Sequence, residues 1–309
     1  MKSTLKVLKN RFLFGVSLIA FVFTFTGIGF SQEISPEISI YQGVNKQYSP
    51  VVAHDSVNNR YLAIFKNQRF DGSNYYDDIY GQIINPDGTK YGNVFSIIVS
   101  GVDLVNGEPT YPLVDESSLS VVFDSQSSKY LIAWSDQSGS PKLVGQLLDI
   151  NGLKVGNPFI ISTGLSSGNS TAYDSINNHF IVVWSGGISG SRNIYGQLVS
   201  PNGSLIGYAF TISSLINLDH VSPRVAYNFI NQKYLVTWQE RHDEVGPNTY
   251  FLHGQMLNSD GSFNGGDFVI SSTSDTSRSS IAFDHQAKQF FVVWNNGIPS
   301  VSGHVSDIN

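Results

Sequence analysis

Short apolar runs rich in Val, Ile, Tyr, Phe and Trp follow one another along the chain from about residue 48 to its end, each bounded by Gly, Asn, Asp, Ser or Pro. Runs of that kind read as strands. No apolar period near 3.6 residues extends far enough between them to form a helix, which removes a strand–helix–strand layout. The runs also repeat. From Tyr173 to Ser213 the chain reads Tyr173-Asp174, a polar turn, Phe180-Ile-Val-Val-Trp184, a loop, Ile194-Tyr-Gly-Gln197, Asn202-Gly203, Gly207, Phe210 and Ile212-Ser213. The other copies place Phe65, Trp134, Trp238 and Trp294 where this one has Trp184. Gly81-Gln82, Gly145-Gln146, Gly196-Gln197 and Gly254-Gln255 recur in step with Asp87-Gly88, Asn151-Gly152, Asn202-Gly203 and Asp260-Gly261, and then with Phe95, Phe159, Phe210 and Phe268.

Four strands per unit of roughly 50 residues, with Asp-Gly or Asn-Gly hairpins, is the pattern of a β-propeller blade. The expected fold is all-β: a five-bladed β-propeller with four antiparallel strands per blade, in one domain over 32–309. The blades cover about 48–99, 117–163, 168–214, 221–272 and 278–309. The last copy stops after three strands. Glu37-Ile-Ser-Ile-Tyr41 resembles the fourth strand of each repeat, so this N-terminal strand is expected to close the last blade and hide two sheet edges. The repeated aromatics at the ends of the second strands read as packing between blades.

Residues 1–31 read as a secretory signal peptide: Lys2, Lys6, Lys9 and Arg11 precede an apolar run from Phe12 to Phe30. Cleavage leaves no membrane span and places the protein outside the cell, in the periplasm or at the cell surface. Four of the 18 Lys and Arg go with the leader, leaving 14 against 24 Asp and Glu. That excess of acid excludes nucleic-acid backbones and anionic membranes as partners. There is no Cys, so the fold relies on its core without disulfides.

The turns between first and second and between third and fourth strands are constant. The second-to-third loops and the connections between blades vary, and in a propeller these share one face. Variable loops on a rigid scaffold are where binding concentrates. The long excursions are 66–78, 100–118 and 239–251. The candidate ligand-binding residues are Arg69, Tyr75, Tyr76, Asp78, Asp136, Arg192, Glu240, Arg241 and His242, a mixture of aromatic, basic and acidic groups that suits sugars or proteins.

Glycosidases use two carboxylates flanking the scissile bond. The inner-strand segments 49–53, 119–122, 169–172, 223–226 and 279–282 contain no acid, and Arg224 is their only charge. Carboxylates would have to come from the loops, as Asp78, Asp136 and Glu240. No nucleophile elbow, zinc helix or phosphate loop is present. The seven histidines read as scattered, with no spaced ligand set, so no metal site and no cofactor are expected. A calcium or sodium ion in an axial channel would leave no mark in the sequence.

The repeat resembles those of secreted bacterial β-propeller proteins, with blades of the form aromatic-Leu-Val-x-Trp, Ile-Tyr-Gly-Gln, Asp/Asn-Gly and Phe-x-Ile-Ser over about 37–309. The resemblance implies the fold, export and a bacterial source, and carries no catalytic motif. The reading that follows is an exported, non-enzymatic binding or scaffold module whose variable loop face recognises a glycan or a protein partner at the cell surface. The alternative is a glycan-active enzyme with loop-borne carboxylates.

Overall fold

The computed structural model describes residues 37–306 apart from 113–118, 137–139, 214–217, 243–248, 273–275 and 297–300. The expected leader lies outside the described residues, among which no helix is long and apolar enough to cross a membrane. Among the described residues the regular structure is entirely antiparallel strand. The first sheet runs β1 (Gln47–Asp55), β2 (Arg60–Phe70), β3 (Tyr75–Ile84) and β4 (Lys90–Ile98), and a small hairpin follows, β5 (Leu104–Val105) and β6 (Glu108–Pro109). The second sheet is β7 (Leu119–Asp124), β8 (Lys129–Asp136), β9 (Lys142–Asp149) and β10 (Lys154–Thr163). The third is β11 (Ser166–Asp174), β12 (His179–Gly186), β13 (Asn193–Val199) and β14 (Leu205–Thr211). The fourth is β15 (His220–Asn228), β16 (Lys233–Arg241), β17 (Tyr250–Asn258) and β18 (Phe268–Ser271). The last has three strands, β19 (Thr276–Asp284), β20 (Gln289–Asn296) and β21 (Val301–Ser306). Each four-stranded sheet is paired in chain order, and the first strands of successive sheets lie against one another.

The repeat is explained residue by residue. At the first turn of each sheet, Oδ1 of Asp55, Asp124, Asp174, Asn228 or Asp284 accepts from the backbone N–H two and three residues on, at 2.8–3.1 Å. This side-chain turn competes well with extended backbone. The Gly-Gln pair has two separate duties. The Gln Nε2 donates to the following carbonyl and to carbonyls of the kinked fourth strand, as Gln197 does to Leu198 and Ile206 at 2.9 Å each. The Gly leaves room for the fourth-strand Phe: a Cβ on Gly145 would stand 2.6 Å from the Phe159 ring, and one on Gly196 2.7 Å from Phe210. The same Phe reaches the next sheet, where Phe159 meets Gly203 and Phe210 meets Gly261.

The core consists of the layers between successive sheets. Strand alternation turns Tyr130, Ile132 and Trp134 toward the first sheet and Leu131 and Ala133 toward the third. Trp184, Trp238 and Trp294 repeat that placement one sheet further on each time.

The N-terminal segment departs from expectation. Glu37–Tyr41 is not a strand, and no ladder joins it to β21, which pairs only with β20 among the described residues. It lies instead against the first sheet. Tyr41 stacks on Phe65 with ring centroids 5.4 Å apart, and Ile38 sits beside Gly88.

Candidate active site

The two ends of the sheets differ. At the end carrying the first turns, the buried charged groups do one repeated job, capping those turns, and His179 stands 3.7 Å from the cap Asp174. At the other end, where the second-to-third loops and the connections between sheets lie, the buried set changes from sheet to sheet. It includes Lys66, Asp77, Asp78, Asp136, Lys142, Asp219, His220, Glu240 and His253. A buried charge is costly unless paired, so this end is where the chain carries a cost that the repeat alone does not require.

The first group joins the loop after β2 to the connection after β4. Arg69 Nε lies 3.0 Å from Asp78 Oδ2, and its Nη2 donates to the Ser100 carbonyl at 2.9 Å. The Ser100 N–H donates to Asp78 Oδ1 at 2.8 Å. The Arg69 guanidinium lies over the Tyr76 ring, and Tyr76 packs on Tyr111. Asp136 then accepts from the Thr110 hydroxyl and the Tyr111 N–H at 2.8 Å each, with Lys142 Nζ at 3.6 Å. Asp78 and Asp136 thus anchor the connection between the first two sheets. Tyr75 is exposed and packs on exposed Phe70, 4.8 Å between centroids.

The second group is built on the fourth sheet. Arg192 pairs with Asp219 at 2.8 Å. Burial pushes the Asp219 carboxyl up, but bonds from Arg192 and from the Gly190 and Arg192 N–H groups outweigh it and hold it well below the usual range. The Arg192 carbonyl faces both the His220 N–H and His220 Nδ1, while Nε2 of that ring lies 2.9 Å from Glu240 Oε2. His242 Nε2 is 2.8 Å from Glu240 Oε1, and His253 Nε2 is 3.5 Å from the same oxygen. Burial acts to raise the Glu240 carboxyl, yet the His220 bond and the charges of His253 and His220 bring it below its ordinary value. Burial lowers His253 against the opposing pull of Glu240 and Asp267. The Arg241 N–H donates to the Asp219 carbonyl. Three of the seven histidines therefore converge on one carboxylate, which corrects the reading of scattered rings.

A third arrangement was not singled out by the sequence. Tyr48, half-buried at the start of inner strand β1, faces Asp77 on β3. Asp77 is 4 % exposed, and neither its oxygens nor the Tyr48 hydroxyl completes an aligned hydrogen bond. They are near enough that the phenol is raised well above its usual value, by burial first and then by Asp77. Lys46 Nζ lies 5.2 Å and Lys66 Nζ 6.0 Å from the Tyr48 ring centroid. The missed signal is departure from the repeat. Positions equivalent to Tyr48 hold Ser117, Ser167, Val221 and Ser277, and those equivalent to His253 hold Tyr80, Val144 and Tyr195.

No protein-family model matches the chain, and no curated protein matches it by sequence. Solved structures do resemble it. One is a protein of unknown function from Dyadobacter fermentans, at TM-score 0.58 and 11% identity, covering 88% of this chain and 78% of that one. A Hadza microbial sialidase gives TM-score 0.56 at 9% identity over 85% of this chain, which spans about half (52%) of the sialidase. A GH43 β-1,3-galactosidase, solved with galactodeoxynojirimycin, gives 0.51 at 9% over 85% and 91%. The fold is thus β-propeller-like, of the kind glycoside hydrolases use. This overturns the expectation of a non-enzymatic module. That expectation rested on inner strands without acids, and the structure supplies buried carboxylates at the ends of the second and third strands instead.

Proposed function

We propose that this chain is an exported, five-bladed propeller enzyme that hydrolyses glycans at its variable end, with Tyr48 and Asp77 at the reaction centre. The observation that carries the assignment is the Tyr48 hydroxyl facing a buried carboxylate that has no other hydrogen-bond partner. A buried polar pair left open in this way calls for an explanation, and a nucleophile beside a general base is one. Tyrosine serves as nucleophile in some glycosidases. Tyr48 Oη would attack the anomeric carbon as its proton passes to Asp77. The glycosidic C–O bond breaks, and the leaving oxygen takes a proton from a second carboxyl group, which is left as a carboxylate. Water then attacks the anomeric carbon of this aryl glycoside, giving its proton to the second carboxylate, as the bond to Tyr48 Oη breaks and Asp77 returns the proton to the phenolate. Lys46 and Lys66 beside the ring favour sugars that carry a carboxylate. The exposed Phe70 and Tyr75 pair offers a stacking surface for further sugar units.

Ring closure belongs to the same reading. Ile38 stands at Gly88 of the first sheet as Phe159 stands at Gly203 of the third, and Tyr41 covers Phe65 on a face that the preceding sheet covers elsewhere. On this reading the N-terminal segment takes the place of a fourth strand for the last blade.

Kinetics of Tyr48→Phe and Asp77→Asn on sialylated and uronate-containing glycans test the assignment. Each is expected to lower kcat/KM by about 10²–10⁴ with melting unchanged. Turnover within a few-fold of the parent in both would refute it.

A further inference from the structure

We propose that Glu240, His242 and His253 form a binding site for a divalent transition ion of the zinc type, separate from the Tyr48–Asp77 centre. One oxygen or nitrogen from each residue lies within 4.8 Å of the others. The Glu240 Oε1 to Nε2 separations, 2.8 Å to His242 and 3.5 Å to His253, bracket the spacing of about 3.3 Å between two ligands of a tetrahedral zinc ion. Two imidazoles and a carboxylate suit zinc, copper, nickel or cobalt; calcium and magnesium want oxygen.

A second observation points the same way. His253 is 6 % exposed, and neither of its ring nitrogens makes a hydrogen bond, although Nε2 is aimed at the carboxylate. Leaving a buried imidazole open costs stability unless something else takes the lone pair. The surroundings have the form of an outer shell that orients ligands. His220 holds the other carboxylate oxygen, and its far nitrogen faces the Arg192 carbonyl. Asp267 Oδ2 stands 3.8 Å from His253 Nδ1, leaving Nε2 for the ion. The parts sit on paired strands: His220 is opposite Glu240 in register, and His253 is opposite Trp238, two residues before Glu240. His242 is the least buried of the three and opens the site to solvent. Three ligands leave a fourth position for water or a substrate oxygen.

The test is titration of the full chain, prepared without a histidine tag, with zinc and separately with cobalt, following heat and the visible cobalt spectrum. We expect one ion per chain with Kd at or below micromolar. His253→Tyr, which restores the residue of the first and third sheets, should abolish binding and keep the melting temperature measured in chelator. His220→Gln should weaken binding by about 10–100-fold. No binding of zinc, cobalt, nickel or copper by the parent would overturn the proposal, and so would unchanged affinity in a folded His253→Tyr.

Discussion

Single residues decide whether one unit can repeat. Gly196 is such a residue, because a Cβ there would press on the Phe210 ring and on Ile212 at 3.1 Å. Gly196→Ala should cost about 1–3 kcal/mol through overpacking, measured by denaturant unfolding; a loss under a few tenths would contradict the role given to this glycine. Asp174 makes a pH prediction. Burial acts to raise its carboxyl, but the nearby Tyr227 hydroxyl and the bonds from Asn177 and the Ile176 N–H hold it below the ordinary value. Its folded pKa is therefore lower than its unfolded one. The stability it contributes is present above the unfolded value of about 3.9 and is lost as pH falls through the folded value. Asp174→Asn keeps the turn, as Asn228 does natively, and should lose less stability than the parent between pH 5 and 3. Parallel melting curves over that range would count against the account.

At the scale of the element, legibility in the sequence followed repetition. The turn acid, the Gly-Gln pair, the fourth-strand Phe and the tryptophan each recur because each solves the same packing problem in every sheet. They could therefore be read without a structure, and the second, third and fourth sheets agree with the expected unit. The candidate chemistry was legible only in part. Asp78, Asp136 and Glu240 stood out as loop acids, but their roles depend on partners far along the chain, such as Ser100 for Asp78 and His220 for Glu240. Tyr48 and Asp77 belong to different strands, and nothing in local spacing couples them. Gln197→Leu tests the element account: it deletes the donor that holds the kink of β14 and leaves the Leu198 and Ile206 carbonyls short of a partner. A cost of about 1–3 kcal/mol is expected, read from thermal unfolding, with no change in ligand binding at the opposite end.

For the whole molecule, the segment before β1 matters although it forms no strand. It covers Phe65 and reaches Gly88. If it completes the last blade, its removal exposes an edge and an apolar face together. Deleting residues 33–46 should lower the melting temperature by several degrees and promote self-association in sedimentation; an unchanged melt would reject closure. The molecule also separates its duties by end. One end repeats a structural cap, while the other gathers the phenol–carboxylate pair, the anchored loop acids and the histidine cluster. Activity is therefore expected to survive changes at Asp87-Gly88 or Asn202-Gly203 that leave folding intact.

The most direct measurement of the central claim is sugar release by residues 33–309 from a panel of sialylated, uronate-containing and neutral glycans, with the Tyr48→Phe chain beside it. The account predicts release by the parent, favouring acidic sugars, and its loss in Tyr48→Phe. Retention of glycans without any release by the parent, or equal release by both chains, would contradict it.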